Sequence, residues 1–290
     1  MKILVTGAKG QLGFDVTSEA KKRGYEVLGV DIEEMDITAP DSVGRVMEEF
    51  RPDALIHCAA WTAVDAAEEE ENREKVRRIN AEGTENLARA CHKIGCKMLY
   101  LSTDYVFDGS GTRPWDPEDE AYAPLNFYGK TKLEGEEAVK SILTRYFIVR
   151  IAWVFGMNGK NFVRTMLRLS ENYDTLRVVT DQIGTPTYTV DLARLLVDMI
   201  ETEKYGIYHA TNEGGYLSWA DFAREIFRLA GKSTDVQGVT TAEYGLSRAK
   251  RPFNSRLEKK KLREAGFCPL PTWQDALTRY LNELFEKGEI

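Results

Sequence analysis

Residues 1–13 read MKILVTGAKGQLG and contain the most informative short pattern in the chain. A short apolar run, Lys2–Thr6, leads directly into three spaced glycines, Gly7, Gly10 and Gly13, and an amphipathic segment follows. A strand that passes through such glycines into a helix is typical of the phosphate-binding turn of a Rossmann fold. The first glycine permits the tight turn, the second lets a pyrophosphate approach the backbone, and the third allows close packing of helix on sheet. The stretch therefore predicts a dinucleotide-binding sheet.

The alternation of apolar and amphipathic runs continues along most of the chain. It indicates parallel β-α-β units whose sheet is covered by helices on both faces. The predicted strands span 2–7, 25–31, 54–60, 97–103, 146–155, 176–181 and 206–211, and the predicted helices span 11–23, 42–50, 72–94, 126–142 and 190–201. We expect the last two strands, with the helix between them, to return to the same sheet as the others.

The remaining segments have helical patterns with few strong strands. One of them, SWADFAREIFRLAG, begins with Ser218 as a helix N-cap and ends on a glycine. We therefore expect an α/β fold, namely a Rossmann-type doubly wound parallel sheet with a smaller, mostly helical substrate-binding lobe. The predicted division gives 1–154 plus 176–212 to the nucleotide-binding domain and 155–175 plus 213–290 to the lobe.

The composition is that of an ordinary soluble globular protein of 290 residues, with 43% hydrophobic and 29% charged residues and a net charge of −7. This charge argues against nucleic acid or an acidic membrane as a partner, and no apolar run approaches the ~20 residues of a membrane span. Because the N-terminus does not resemble a signal peptide, we expect a cytoplasmic protein with free thiols. The three histidines form no ligand-spaced set, so no metal site is predicted.

An acidic residue ends the second predicted strand. Asp31 lies 18 residues after Gly13, where a carboxylate can bond the adenosine ribose hydroxyls of a dinucleotide. The surrounding run, VDIEEMD, also contains Glu33 and Glu34 but no base. A 2′-phosphate would therefore meet like charge, which favours NADH over NADPH.

A tyrosine and a lysine are spaced one helical turn apart in FYGKTKLEGE, residues 127–136. Tyr128 and Lys132 share one helix face, with Cβ atoms about 5–6 Å apart. Lowering a tyrosine pKa from ~10 to about 7 takes roughly 4 kcal/mol, which a cation ~4 Å away supplies at an effective dielectric near 20. The pair is expected to act in acid catalysis, with Thr103 at the end of a strand to orient the substrate oxygen. Alone, the spacing would equally suit an exposed helix surface.

Four stretches together resemble the extended short-chain dehydrogenases/reductases: GAKGQLG, AAWTAVDAAEEE, STDYVFDG and YGKTKLEGE. The similarity continues through DQIGTPTYTVDLA and GIYHATNEGG to RPFNSRLEKKKL, almost from end to end. It implies a seven-stranded Rossmann domain, NADH or NADPH as cofactor, and a dTDP-linked 4-ketosugar as substrate. The implied reaction is reduction of the 4-keto group of dTDP-4-dehydro-L-rhamnose to dTDP-L-rhamnose, the last step of dTDP-rhamnose biosynthesis.

The resemblance also implies residue roles. Tyr128 would be the proton donor, Lys132 would hold the nicotinamide ribose, and Thr103 would bond the reacting oxygen. The implied cofactor contacts are Gly7, Gly10, Gln11, Leu12, Gly13, Asp31, Asp36, Ile37, Ala59, Ala60, Trp61, Thr62, Tyr128 and Lys132. The implied substrate contacts are Thr103, Asp104, Tyr128 and Trp153, with Arg251 and Arg256 as candidate partners of the diphosphate. Trp61 departs from the family, which commonly has tyrosine or histidine there. A monomer or a homodimer is expected.

Three other functions stay open. A sugar-nucleotide 4,6-dehydratase would carry Asp-Glu directly after the threonine, whereas here Asp104 is followed by Tyr105. A sugar-nucleotide 4-epimerase would retain NAD and return the hydride to the opposite face of the sugar. A non-catalytic regulatory subunit, like that of methionine adenosyltransferase, also resembles this family; the intact Tyr128 and Lys132 favour catalysis over that role.

Overall fold

The computed structural model describes residues 1–290. Its strands are β1 Lys2–Thr6, β2 Glu26–Val30, β3 Ala54–His57, β4 Lys97–Thr103, β5 Tyr146–Ile151, β6 Val154–Phe155, β7 Thr175–Val179, β8 Ile183–Gly184, β9 Thr187–Tyr188, β10 Gly206–His209, β11 Leu217–Ser218 and β12 Asp235–Val239. Its helices are α1 Gln11–Lys22, α2 Pro40–Phe50, α3 Glu70–Arg77, α4 Gly83–Ile94, α5 Phe127–Ile142, α6 Phe162–Ser170, α7 Thr189–Ile200, α8 Trp219–Leu229, α9 Thr241–Tyr244, α10 Lys260–Glu264 and α11 Trp273–Glu286.

The centre of the molecule is a six-stranded sheet in the order β10-β5-β4-β3-β1-β2. All of its strand pairs are parallel. Helices α1 and α7 bury one face of the sheet, and α2 and α4 lie on the other. Because both faces are covered, the inner strands can be apolar throughout, as their sequences are. The predicted Rossmann-type α/β fold is confirmed.

One predicted strand lies elsewhere. We expected 176–181 to join the central sheet, but β7 instead pairs in parallel with β12 in the lobe, so the central sheet has six strands and not seven. The residues explain the difference, since Thr175 and Arg177 are exposed while Val178 and Val179 are buried. A strand with one solvated face does not suit the middle of a parallel sheet.

Two other predicted elements are interrupted. The strand predicted over 146–155 is divided into β5 and β6 at Trp153, whose φ is +51°. This turn takes the chain out of the central sheet at its carboxyl edge, and β6 then pairs with β9. The segment 72–94, predicted as one long helix or two in sequence, consists of α3 and α4, which are joined by one wide turn of π-helix at Arg78–Glu82.

The lobe has its own apolar core, in which Phe155, Phe222 and Tyr280 pack among residues of α6, α8 and α11. Helix α8 has the predicted Ser218 cap, with Asp221 completing a capping box. Phe267, by contrast, packs with the core of the central sheet. We therefore propose the predicted domain division with β7 assigned to the lobe and the segment around α10 assigned to the sheet domain. None of the helices has the length and apolar character that crossing a membrane requires.

Candidate active site

The glycine turn between β1 and α1 has the form that a dinucleotide phosphate needs. Gly7 has a φ of +66°, which glycine adopts without strain. A Cβ on Gly13 would lie 2.0 Å from the carbonyl oxygen of Gly7, so only glycine allows helix α1 to pack this closely. The amino terminus of α1, which follows Gly10, presents free backbone N–H groups and the positive end of the helix dipole. The turn therefore fits a pyrophosphate.

A cavity of about 970 Å³ lies at the carboxyl ends of the central strands and is bordered by the lobe. Open α/β sheets bind their ligands at this edge. Most of the site residues expected from the sequence line this one cavity: Gly7, Gly10, Gln11, Leu12, Gly13, Asp31, Asp36, Ile37, Ala59, Ala60, Thr62, Thr103, Asp104, Tyr128, Lys132 and Trp153.

Trp61, Arg251 and Arg256 are not among the residues that line the cavity. The indole N–H of Trp61 donates to the carbonyl oxygen of Ala63, 3.1 Å away, and is therefore already used within its own loop. The Arg251 guanidinium is bound to both carboxylate oxygens of Asp65, at 2.6 and 3.2 Å. These three expected contacts stay predictions.

Asp31, which follows β2, lines the cavity. Its carboxylate accepts a hydrogen bond of 2.6 Å from the backbone N–H of Lys9. The Lys9 ammonium lies 2.9 Å from Glu33 and 3.6 Å from Glu34. We expected no base in this region, and the structure corrects this, because the glycine turn brings Lys9 next to the acidic run. Arg78, which also lines the cavity, is a second cation that the sequence pattern did not reveal.

Tyr128 and Lys132 lie on helix α5, which begins after the Asn126 cap; the Asn126 side chain accepts from the backbone N–H of Gly129 at 2.8 Å. Gly129 lets the helix approach the segment after β4, since a Cβ there would lie 2.3 Å from the carbonyl oxygen of Tyr105. Lys132 is buried, and its ammonium lies 4.1 Å from the centre of the Tyr100 ring. The helix thereby holds Tyr128 and Lys132 against the end of the sheet.

Burial dominates the electrostatics of this pair. It lowers the pKa of the Lys132 ammonium to about 7, against the opposing attraction of Glu136. It also raises the pKa of Tyr128 above its usual value, with a further contribution from the Asp104 charge and an opposing hydrogen bond to Thr103. The expected lowering of the Tyr128 pKa by Lys132 is therefore not found. A phenol with a raised pKa stays protonated at neutral pH, as a proton donor must.

A buried ion pair lies one helical turn beyond Lys132. Arg150 on β5 and Glu136 on α5 have no exposed side-chain surface. The guanidinium donates two hydrogen bonds to the carboxylate, at 2.9 and 2.7 Å, and Ser102 donates a third at 2.5 Å. Glu136 is one helical turn beyond Lys132, and its carboxylate is entirely enclosed.

The lobe side of the cavity carries a stacked pair of indoles. The rings of Trp153 and Trp219 lie 3.6 Å apart between centroids and are nearly parallel, at 13°. Trp153 keeps a left-handed backbone that is rare for a large side chain, and such strain is common at binding sites. Trp219 was not expected from the sequence. The only notable feature of Trp219 in the sequence is its place as the first residue of α8, directly after the Ser218 cap.

The segment before α6 is hydrogen-bonded to the start of α1. The carbonyl oxygen of Lys160, which lines the cavity, accepts a 3.1 Å hydrogen bond from the side chain of Gln11. Asn161, the cap of α6, donates to the other end of the same amide at 3.1 Å. These two bonds hold the lobe next to the glycine turn.

A strand-turn-helix with a phosphate cradle, followed by a tyrosine and a lysine on one helix face beside a strand-end threonine, defines the class of short-chain dehydrogenases/reductases, which use a nicotinamide cofactor. The family model described as RmlD substrate binding domain matches residues 1–286, and the chain belongs to this family.

The relatives agree with this assignment. The dTDP-4-dehydrorhamnose reductase of Streptomyces griseus is 43% identical over 281 residues, which cover 95% of this chain and 91% of that protein. The crystal structure of such a reductase from Clostridium acetobutylicum gives a TM-score of 0.94 at 44% identity, covering 98% and 100% of the two chains. The reductase from Bacillus anthracis, solved in complex with NADP, gives 0.93 at 41% identity, covering 97% and 99%.

Proposed function

We propose that this protein is a dTDP-4-dehydrorhamnose reductase, which reduces the 4-keto group of dTDP-4-dehydro-L-rhamnose to give dTDP-L-rhamnose. The observation that supports this most strongly is the convergence of Tyr128, Lys132 and Thr103 on the cavity that begins at the glycine turn. The near full-length relatives that bear the same name support the same substrate class.

Each group in the site has a chemical task in this proposal. The nicotinamide supplies the hydride that adds to the carbonyl carbon of the sugar. Tyr128 gives the proton to the carbonyl oxygen, and the transfer is favourable because an alkoxide is a stronger base than a phenolate. Thr103 donates a hydrogen bond to the same oxygen, while Lys132 holds the cofactor ribose next to the phenol. The stacked Trp153 and Trp219 form an apolar wall for the sugar.

The remaining cofactor contacts follow the shape of the cavity. We assign the phosphates to the backbone of the glycine turn and the adenosine ribose to Asp31. The walls beside the adenosine and the nicotinamide are assigned to Gln11, Leu12, Asp36, Ile37, Ala59, Ala60, Trp61 and Thr62. The indole of Trp61 would have to turn from its present hydrogen bond to reach the cofactor.

A cofactor-consumption assay tests this function against its rivals. The purified protein is dialysed and then mixed with NADH or NADPH and a panel of nucleotide-linked 4-ketosugars. We expect it to consume one equivalent of reduced cofactor for each ketosugar, with the dTDP-linked 4-dehydrorhamnose as the preferred member of the panel. Tightly retained NAD together with redox-neutral isomerisation would indicate the 4-epimerase instead, and inertness towards every sugar would favour a regulatory subunit.

The first prediction concerns cofactor choice: NADH should serve at least as well as NADPH, because Asp31, Glu33 and Glu34 surround the ribose position. Asp31→Asn should raise the NADPH/NADH ratio of kcat/KM by roughly fivefold, since one charge ~4 Å away in water contributes about 1 kcal/mol. Lys9→Ala should lower the same ratio, because its ammonium is the cation paired with this acidic run. Steady-state kinetics with both cofactors measures these ratios, and a large NADPH preference in the wild type would refute the charge argument.

The second prediction concerns the substrate diphosphate. Arg251 is engaged with Asp65, whereas Arg256 donates only to the side-chain oxygen of Asn254, at 3.0 Å. We therefore expect Arg256→Ala to raise KM for the sugar nucleotide by about 10- to 100-fold, the loss of one hydrogen bond to a charged group, with KM for NADH unchanged. Arg251→Ala is the matched control and should mainly lower stability. If neither variant changes substrate binding, the loop that carries them is purely structural.

A further inference from the structure

The hydroxyl of Thr103 has a single proton, and in this structure that proton is already used in a hydrogen bond. Thr103 donates to Oδ1 of Asp104 over 3.0 Å. Its oxygen accepts from the backbone N–H of Tyr105 over 3.2 Å. A hydroxyl carries one donor and two acceptor positions, so only an acceptor position is left. Thr103 therefore has no proton for a carbonyl oxygen, which itself can only accept.

Asp104 occupies an unusual position for a carboxylate. It lies in the cavity wall at the end of β4 and is only 2% exposed. Its second oxygen, Oδ2, is buried without a hydrogen-bond partner. A buried acceptor that lacks a partner costs about 1–3 kcal/mol, and more if it is charged. Protonation removes this charge and turns the group into a donor.

We propose that Asp104 works in its protonated form, as a positioning residue that turns the Thr103 hydroxyl towards the substrate. The acid O–H then donates to the Thr103 oxygen, which frees the threonine proton for the carbonyl oxygen of the sugar. No proton leaves Asp104 in this arrangement, and Tyr128 remains the donor of the transferred proton. The inference rests on the proposed reductase function, since it concerns the orientation of that ketone.

The surroundings of Asp104 support this state. Burial raises the pKa of Asp104 to about 6, against the weaker opposing influence of the nearby Ser255 and Thr103 hydroxyls. The groups that face it from neighbouring elements are the phenols of Tyr105 and Tyr128, with the Arg251–Asp65 ion pair beyond Tyr105.

Neutral Asp104 would also aid catalysis through its effect on the acidity of Tyr128. Its negative charge is one of the causes that raise the pKa of Tyr128. Loss of that charge makes the phenol a stronger acid, so both effects of protonation favour proton delivery to the ketone.

The sign of the pH dependence follows from these states. Asp104 is protonated below its pKa, so kcat of the wild type should fall as pH rises through about 6. Between about pH 6 and pH 8 the protonated fraction falls by about 50-fold, which sets the upper limit of this decline.

The test compares kcat for dTDP-4-dehydrorhamnose between pH 5 and pH 9 in the wild type and in Asp104→Asn. An asparagine amide can donate to the Thr103 oxygen at any pH, so this variant should lose the decline that begins near pH 6 and exceed the wild-type kcat at pH 8. Any decline that begins near pH 7, where Lys132 loses its proton, should be the same in both proteins. Asp108→Asn, in the same segment but outside the cavity wall, is the control and should keep the wild-type profile.

A second comparison covers the case in which Asp104→Asn folds poorly. Thr103→Val has no hydroxyl to turn, so its lower kcat should show a much smaller decline near pH 6, caused only by the effect of the Asp104 charge on Tyr128. The inference is overturned if the wild-type kcat is flat from pH 5 to pH 8, if folded Asp104→Asn is less active than the wild type at pH 8, or if Thr103→Val keeps the full wild-type decline. A wild type that oxidises no reduced cofactor at any pH would instead overturn the proposed function.

Discussion

Tyr128→Phe is expected to lower kcat for the ketosugar by about 10²–10⁴-fold, the usual contribution of general acid catalysis. The substitution removes only the hydroxyl that gives its proton to the substrate oxygen. Its ring keeps the edge-on contact with Tyr105, at 5.9 Å between centroids, so the fold and the affinity for NADH should be unchanged. Steady-state kinetics, a thermal melt and a cofactor titration measure these three quantities.

Tyr105→Phe is the matched control, because this neighbouring phenol also lines the cavity. It should change kcat far less than Tyr128→Phe does, since no proton is assigned to it. Near-normal turnover by Tyr128→Phe, or an equal loss in both variants, would remove Tyr128 from the role of proton donor.

Arg150→Met is expected to lower the free energy of unfolding by about 3–5 kcal/mol, the range found when one partner of a buried ion pair is removed. The cost comes from Glu136, which would remain fully buried with its charge uncompensated. Ser102 alone cannot replace the two hydrogen bonds that the guanidinium donates. Urea unfolding of the wild type and the variant measures the difference.

Two further variants isolate the cause. Arg228→Met removes an exposed arginine that pairs with Glu225 on the surface of α8, and it should leave the free energy of unfolding nearly unchanged. The double variant Glu136→Leu/Arg150→Met removes both charges and should recover much of the lost stability. If the single and double variants are equally unstable, lost packing and not the orphaned carboxylate is responsible.

The sequence predicted those parts of the site that depend on short spacings. The glycine turn requires only three glycines between a strand and a helix, and Asp31 requires only the end of the next strand. Tyr128 and Lys132 share a helix face whatever the helix packs against. The parallel sheet then brings these groups together, because the carboxyl ends of its strands meet at one edge.

The features that were missed depend on contacts between distant segments. Lys9 meets the acidic run after β2, and Arg251 meets Asp65 across 186 positions of the chain. Neither pairing leaves a periodic signal in the sequence. The same limit explains β7, because a five-residue strand with exposed Thr175 and Arg177 suits either the edge of the main sheet or a two-stranded sheet in the lobe.

The proposed reductase function requires hydride transfer from the cofactor to the sugar. The direct measurement uses NADH labelled with deuterium at the transferable C4 position of the nicotinamide, with dTDP-4-dehydro-L-rhamnose, and mass spectrometry and NMR of the sugar product. We predict one deuterium at C4 of dTDP-L-rhamnose for each NADH oxidised. A product that forms without deuterium at C4, or no oxidation of NADH or NADPH with this ketosugar, would contradict the assignment as a reductase.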